Sequence, residues 1–166
     1  GGASHGKSLV LPAGSTAISP VSCVGLAEPT LRFFAKKNRA PLLGVSTLEA
    51  LAEEAAAPRV VACLDARMRE VYYAALEKEE RGWKEAIAAQ CVAPEAAPKP
   101  QGEGWIGAGN GFAVYGNLGL VKVLPEVHPT AIAVARLAAP RLAAGEGVDA
   151  ALAAPIYVLE KVAFTQ

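Results

Sequence analysis

The stretch that decides the fold is VVACLDARMREVYYAAL, residues 60–76. Its first five residues are all apolar and two of them are β-branched, which predicts a buried strand. Residues 65–68 interrupt this run, and residues 70–76 then alternate as in a second strand. The two segments are therefore predicted to pair as an antiparallel hairpin.

The segments after the hairpin extend the sheet and add a helix. Residues 78–82 form a charged turn, and residues 83–92 are predicted to supply a third strand of the same meander. Residues 104–111 predict a short strand that runs into a glycine-rich turn. A helix is predicted to open at residues 128–130 and to run through Ala139, where the following proline bends or ends its last turn.

The segments before the hairpin and the end of the chain indicate a mixed fold. Ser46 and Glu49 have the S-x-x-E spacing in which each side chain satisfies a free backbone amide of the other, so a helix is predicted over residues 47–57. Pro29 suits the first position of an earlier short helix, and residues 155–159 predict a closing strand. Strands in a meander beside amphipathic helices indicate an α/β or α+β domain.

The composition argues against two kinds of partner. The 166 residues are 52% hydrophobic, which is enough to bury a core in one domain or two small lobes. Sixteen basic and sixteen acidic residues leave no net charge, and no stripe of Lys or Arg could neutralise a track of phosphates. We therefore expect neither direct high-affinity nucleic-acid binding by this chain alone nor, without a run of about 18 apolar residues, a membrane span.

The cysteines predict a reducing compartment and no metal site. Cys23, Cys63 and Cys91 lie far apart without a C-x-x-C pair, and His5 and His128 are the only histidines. A zinc site is therefore not expected. An odd number of cysteines fits the cytoplasm, where Cys63, inside an apolar strand, should be an inert core thiol.

The turn of the hairpin is the first candidate site. Asp65 is expected to accept turn hydrogen bonds from backbone amides. Arg67 or Arg69 could meet an anion or an acidic partner surface. The preferred interpretation is a solvated hairpin tip, because exposed charges of this kind contribute little.

A second candidate site is the G-x-G-x-G run formed by Gly107, Gly109 and Gly111. Glycines after a strand can let the backbone pack against an adenine or a phosphate. The spacing is not the dinucleotide-binding fingerprint, and no acidic residue follows about twenty positions later. A structural turn is the preferred interpretation.

Three segments together resemble the TsaB family, also called YeaZ. They are PLLGVSTL at residues 41–48, LDARMREVY at residues 64–72 and PIYVLEKVA at residues 155–163. Their order and separation match that family, and the Asp-Ala-Arg turn followed by Glu-Val-Tyr is the most specific part. The resemblance covers residues 41–166.

The resemblance implies an α/β fold of the actin-like, sugar-kinase-like ATPase type, which is ribonuclease H-like and has two lobes. The first lobe is expected to be atypical or truncated, because the Asp-Thr pair and the glycine-rich segment of the family have no counterpart here. Residues 1–43 are predicted to be its remnant, with a helical surface facing a partner. Residues 44–166 are predicted to form the second lobe, with the strand meander, a helix and the returning C-terminal strand.

The resemblance also implies a function without catalysis by this chain. TsaB proteins are scaffold subunits that pair with the related TsaD, which makes threonylcarbamoyladenosine next to the tRNA anticodon, and a small ATPase, TsaE, joins them. No catalytic residue, metal or cofactor of its own is then expected, and ATP or ADP would lie at the junction with TsaD. The predicted partner interface, which would also form a homodimer when the chain is alone, consists of Leu31, Phe33, Phe34 and Ala35.

Two alternatives remain open on the sequence. The first is a nucleotide-binding enzyme of the same fold that acts alone and holds ATP through residues 107–111. The missing first-lobe Asp and phosphate loop disfavour it, because metal-bound phosphate needs a carboxylate and close amides. The second is a homodimeric interaction module unrelated to tRNA chemistry.

Overall fold

The structure, a computed structural model, describes residues 8–10, 21–22 and 35–153. Its strands are β1 (Ser8–Val10), β2 (Val21–Ser22), β3 (Leu43–Val45), β4 (Arg59–Arg67), β5 (Glu70–Glu79), β6 (Gly82–Val92), β7 (Ile106–Ala108) and β8 (Lys122–Leu124). Its helices are α1 (Thr47–Ala55), α2 (Gly111–Tyr115) and α3 (Ala131–Ala143), with a 3₁₀ turn at Pro94–Ala96. The predicted closing strand, residues 155–159, lies outside the described residues, and of the predicted early helix residues 35–38 are described and helical.

The meander predicted from the sequence is confirmed and forms most of a five-stranded sheet. The strand order is β6-β5-β4-β7-β8, in which β4, β5 and β6 are antiparallel neighbours. Cys63 on β4 lies opposite Tyr73 on β5. The predicted short strand is β7, which pairs parallel to β4, and β8 in turn pairs parallel to β7. The fold is therefore mixed α/β, as predicted.

Strand β4 lies in the middle of this sheet and is buried on both faces. Residues 60–64 are each at most 5% exposed, which explains why the sequence is apolar at every position rather than at alternate ones. Val61 and Cys63 share one face and contribute to a core cluster with Phe112 and Trp105.

The described residues fall into two compact units. The first contains the residues up to Glu54 and those from Pro129 onward, and the second contains Ala55–His128. The predicted lobe boundary between residues 43 and 44 falls inside β3, within the first unit. The first unit consists of two segments that are separated along the chain by the whole second unit, and the predicted lobe division stays a prediction.

The first unit contains a three-stranded antiparallel sheet of order β2-β1-β3, against which α3 packs. Helix α1 begins at the predicted residue and ends at Ala55, two residues early. Ala56, with a φ of 51°, adopts the left-handed conformation that commonly ends helices. The N–H of Ala50 donates to the carbonyl of Ser46 at 3.0 Å, which confirms the start of the helix.

Helix α3 is capped by Thr130, whose hydroxyl oxygen accepts from the N–H of Ala133 at 3.1 Å, while His128 is exposed. The predicted end of this helix at Ala139 is wrong, because α3 continues to Ala143; of the two predicted effects of Pro140, a bend or an end, the structure excludes the end. Pro140 is exposed and stands in the last turn, so its missing N–H removes one hydrogen bond near the end of the helix.

Among the described residues, no helix has the length and apolarity needed to cross a bilayer.

Candidate functional site

The structure brings the two predicted sites together at one corner of the five-stranded sheet. Asp65 comes directly after the buried part of β4, and Asn110, inside the glycine run, follows the neighbouring parallel strand β7. The N–H of Asp65 donates to the Oδ1 atom of Asn110 at 3.0 Å. Ligands of open α/β sheets bind outside the carboxyl ends of parallel strands, and this corner is such a place.

The carboxylate of Asp65 connects the β4–β5 turn to helix α2. Its Oδ1 atom accepts from the N–H of Arg67 at 3.1 Å and from the hydroxyl of Tyr115 at 3.2 Å. The predicted role of Asp65 as an acceptor of a turn hydrogen bond is confirmed. The contact with Tyr115, 50 residues away, could not be predicted from sequence spacing.

The turn itself has an unusual backbone. Arg67, Met68 and Arg69 have φ values of 65°, 50° and 63°, all in the left-handed region. L residues other than glycine avoid this region, at a cost of roughly 1 kcal/mol or more for each. A β-bulge between Asp65 and Arg67 precedes the turn. Since Met68 is 93% exposed, its own side chain makes little contact that would offset this strain.

A cleft of about 420 Å³ lies beside this turn, wholly within the second unit. Arg69 and Lys99 supply positive charge to its lining, Glu95 supplies negative charge, and Tyr115 and Leu118 supply ring and aliphatic surface. Within the described part of the chain, neither Arg69 nor Lys99 has a carboxylate within ion-pair distance. The cleft therefore has two cations that are available to a bound group.

Tyr115 shows how the charges around the cleft act on one another. Partial loss of solvation raises the pKa of Tyr115, and its hydrogen bond to the Asp65 carboxylate raises it further. The positive charge of Arg69, which lines the same cleft, opposes this increase. Tyr115 is therefore a neutral hydrogen-bond donor to Asp65 around neutral pH.

The glycine run packs tightly against the protein itself. A Cβ atom on Gly107 would lie 2.6 Å from the ring of Phe112, and one on Gly111 would lie 2.5 Å from the Sγ atom of Cys63. Gly109, with a φ of 115°, makes the turn between β7 and α2. The absence of side chains at Gly107 and Gly111 therefore allows close packing, whereas a nucleotide contact by this run stays a prediction.

Two potential nucleophiles near this corner are held in their neutral forms. Cys63 is buried, as predicted, and burial together with the negative charge of Asp65 raises the pKa of its thiol to about 12. Burial raises the pKa of Tyr73 to about 12, and electrostatic repulsion from Cys63 adds to this increase. The hydroxyl of Tyr73 donates to the carbonyl of Pro98 at 2.7 Å. A thiol with so high a pKa is a poor nucleophile at neutral pH.

Of the predicted partner interface, only Ala35 lies in the described part of the chain. Ala35 is fully buried in a cluster with Ala40, Leu42, Ala150 and Ala153. Leu31, Phe33 and Phe34 lie outside the described residues, so the interface stays a prediction.

No group of three or more potential metal ligands occurs among residues 35–153 and the short described strands.

Sequence reasoning missed Asn110, Tyr115 and Lys99, which complete the corner and its cleft. Asn110 stood inside the glycine run and carried a weak signal, because Asn often accompanies glycine in turns. Tyr115 and Lys99 gave no signal, since their neighbours in space come from distant segments of the chain.

Comparison with known proteins gives a consistent assignment. The family model for TsaD, tRNA N6-adenosine threonylcarbamoyltransferase, matches residues 21–148. The tRNA threonylcarbamoyladenosine biosynthesis protein TsaB of Escherichia coli K12 is 35% identical over 138 residues, which cover 75% of this chain and 59% of that protein. The chain thus matches well under two thirds of the length of this relative.

Two solved structures, both described as from Pseudomonas aeruginosa, have similar folds. One, described as an uncharacterised protein with similarity to peptidase YeaZ, has a TM-score of 0.75 at 31% identity. The matched region covers 81% of this chain and 66% of the other chain. The other, YeaZ, has a TM-score of 0.73 at 32% identity, and the matched region covers 80% of this chain and 65% of the other chain. The sheet and these neighbours define the class as the actin-like, ribonuclease H-like ATPase fold. Within that class the chain belongs to the TsaB/YeaZ family.

Proposed function

We propose that this chain acts in tRNA threonylcarbamoyladenosine biosynthesis as a scaffold subunit of a complex that contains TsaD, without catalysing the transfer itself. The family relationship supports the pathway, because the curated relative is named for that biosynthesis. We propose the cytoplasm as its location, because this role requires it to meet tRNA modification enzymes.

The observation that carries the scaffold proposal is the packing of the glycine run. Glycines at a nucleotide site serve to bring backbone amides close to phosphate or adenine. Here Gly107 and Gly111 instead bring α2 close to the sheet, with the Phe112 ring and the Cys63 thiol occupying the space where their side chains would be. The β4–β5 turn also lacks glycines that would bring backbone amides close to a phosphate, because residues 66–69 include none.

The partner part of the proposal rests on the relationship between the two subunits. A family model built on TsaD matches this chain, so the two proteins share a fold. Related folds can pair through equivalent surfaces, as the subunits of symmetric dimers do. The segment that contains Phe33 and Phe34 is the proposed pairing surface toward TsaD, or toward a second copy when TsaD is missing. TsaE would join the heteromer, and ATP or ADP would bind at the junction.

The proposal is tested by reconstituting the transfer reaction. TsaD, TsaE, ATP and unmodified tRNA, with a supply of activated threonylcarbamoyl groups, are assayed for modified adenosine with and without this chain. We expect modification to depend on the chain, and no modification when TsaD is omitted. Product formation by this chain without TsaD would refute the scaffold role and favour the free-standing enzyme.

A paired variant locates the interface in the same assay. Phe33→Ser combined with Phe34→Ser should abolish the stimulation, because two apolar anchors are replaced by hydroxyls. Arg81→Gln, in the exposed β5–β6 turn, is the matched control and should leave the stimulation unchanged. Full stimulation by a folded double variant would contradict the placement of the interface.

A further inference from the structure

The β4–β5 turn keeps a strained conformation that a merely solvated turn does not need. Three consecutive residues, 67–69, are left-handed, and none is Gly, Asn or Asp, which adopt this region at least cost. Strained backbone persists where surrounding contacts enforce it, and such positions cluster at binding and catalytic sites. Here the enforcing contacts come from Asp65, which joins the turn to Tyr115. The backbone conformation of the turn is thereby held before any partner arrives.

The charges around this turn favour an anionic ligand. Arg67 and Arg69 lie on the turn and Lys99 lines the adjoining cleft, whereas Glu95 is the one acidic side chain among the cleft residues that the structure describes. The carboxylate of Asp65 is already engaged by Tyr115 and by a turn amide. Because the whole chain has no net charge, this local excess is a feature of the site and not of the composition.

The turn also offers apolar surface. Met68 is 93% exposed at the tip, between the two arginines, and Leu118 and Ala97 line the cleft. Exposed methionine and arginine are typical of protein interaction surfaces, because methionine adapts its shape and arginine combines charge with a flat apolar face. A small anion in the cleft would leave Met68 exposed to solvent, whereas a peptide segment is long enough to contact both the cleft and Met68.

We propose that the turn and its cleft form a docking site for an acidic, partly apolar segment of a partner protein. Carboxylates of that segment pair with Arg69 and Lys99, and an apolar side chain of the segment covers Met68. The proposal goes beyond the scaffold function and does not rest on it, because the site belongs to the second unit and its chemistry does not involve the proposed pairing segment at residues 31–35. The strained turn contributes affinity by pre-organisation, since little backbone freedom is lost on binding.

A peptide-binding measurement tests the proposal on the full chain. A fluorescein-labelled peptide of alternating Glu and Leu is titrated with the protein at low salt and followed by anisotropy, and the same peptide with Gln in place of Glu is the probe control. We expect saturable binding of the Glu peptide, weakened by added salt as charge pairs are screened. Equal binding of the Gln peptide would overturn the proposal.

Charge variants place the peptide on the protein. Arg69→Gln and Lys99→Gln should each weaken binding about two- to fivefold, the size expected for an exposed ion pair. Arg81→Gln removes the same charge from the distant β5–β6 turn and should have no effect. Loss of binding in Arg81→Gln as large as in Arg69→Gln would show non-specific attraction and overturn the docking site.

Two further measurements separate a protein segment from a small anion. Met68→Ala should weaken binding of the Glu peptide, because the apolar contact is reduced while every charge is kept. Glutarate, a small dicarboxylate, should compete only at concentrations far above the peptide's dissociation constant. If glutarate competes as strongly as the peptide and Met68→Ala has no effect, the cleft is a small-molecule site and the proposal is wrong.

Discussion

Replacing Asp65 with Ala should destabilise the second unit by about 2 kcal/mol and leave its sheet intact. The variant removes the acceptor of two hydrogen bonds, from the Arg67 N–H at 3.1 Å and from the Tyr115 hydroxyl at 3.2 Å. A hydrogen bond to a charged group contributes about 1.5–3 kcal/mol when well buried. Asp65 is half-buried and both distances are long, so about 1 kcal/mol for each bond is the appropriate magnitude.

A double-mutant cycle with Tyr115→Phe isolates the contact between turn and helix. Tyr115→Phe alone should cost about 1 kcal/mol, and the two changes together should cost less than their sum by about 0.5–1 kcal/mol, because each removes the same bond. Both tryptophans, Trp83 and Trp105, lie in the second unit, so urea unfolding followed by their fluorescence reports on this unit.

The control is Glu80→Ala, an exposed residue in the β5–β6 turn, for which a change within about 0.5 kcal/mol is expected. The reasoning is refuted if Asp65→Ala is no more destabilising than this control. It is also refuted if the effects of Asp65→Ala and Tyr115→Phe are simply additive, because the hydrogen bond then contributes nothing that the cycle can detect.

Three further predictions concern packing, capping and pH. Gly111→Ala should destabilise the fold by about 1–3 kcal/mol in urea unfolding, because its Cβ would lie 2.5 Å from Cys63 Sγ, and Cys63→Ala in the same chain should recover part of this loss. Thr130→Ala should cost about 1–2 kcal/mol by thermal unfolding, since it removes the cap on the Ala133 N–H and the 2.6 Å bond to Glu54. The folded Cys63 thiol has a pKa of about 12 against an ordinary value of 9.0, so its stabilising effect is complete below pH 9.0 and is lost as pH rises toward 12. Above pH 9.0 the free energy of unfolding measured with urea should therefore fall by about 1.4 kcal/mol per pH unit because of this thiol. Cys63→Ala should lack this contribution. Equal pH slopes in the two proteins would contradict the assignment.

The parts of the fold that the sequence predicted are those held together by near neighbours along the chain. The β4–β5–β6 meander consists of adjacent hairpins, and its apolar pattern follows from the burial of β4 on both faces. The start of α1 and the region where α3 begins were predicted for the same reason, because capping signals are local.

The elements that sequence reasoning missed depend on distant partners. Strand β8 is three residues long and exists because it pairs with β7, and α2 is a five-residue helix seated where Gly111 permits close packing. Neither length gives a usable periodicity. Pro140 was expected to be able to end α3, but its exposed position in the last turn lets the helix continue to Ala143.

The sequence indicated some of the residues at this corner of the sheet but not their geometry, and a ligand-binding role for them stays a prediction. The sequence indicates Asp65, Arg67 and Arg69 in the turn, and in the structure the N–H of Asp65 donates a hydrogen bond to the side chain of Asn110 in the glycine run. The left-handed backbone of the turn carried no sequence signal, because the residues there are Arg and Met and not Gly or Asn. The preferred interpretation of a plain solvated tip took no account of this strain, of the Tyr115 contact or of the cleft.

The most direct test of the scaffold function is sedimentation of this chain with TsaD from the same organism. Analytical ultracentrifugation of the two purified proteins, alone and mixed, with and without ATP, gives the mass of any complex. The scaffold function predicts a defined heteromer that is tightened by ATP, while this chain alone binds no nucleotide. Failure of the two to associate, together with ATP binding by this chain alone, would contradict it.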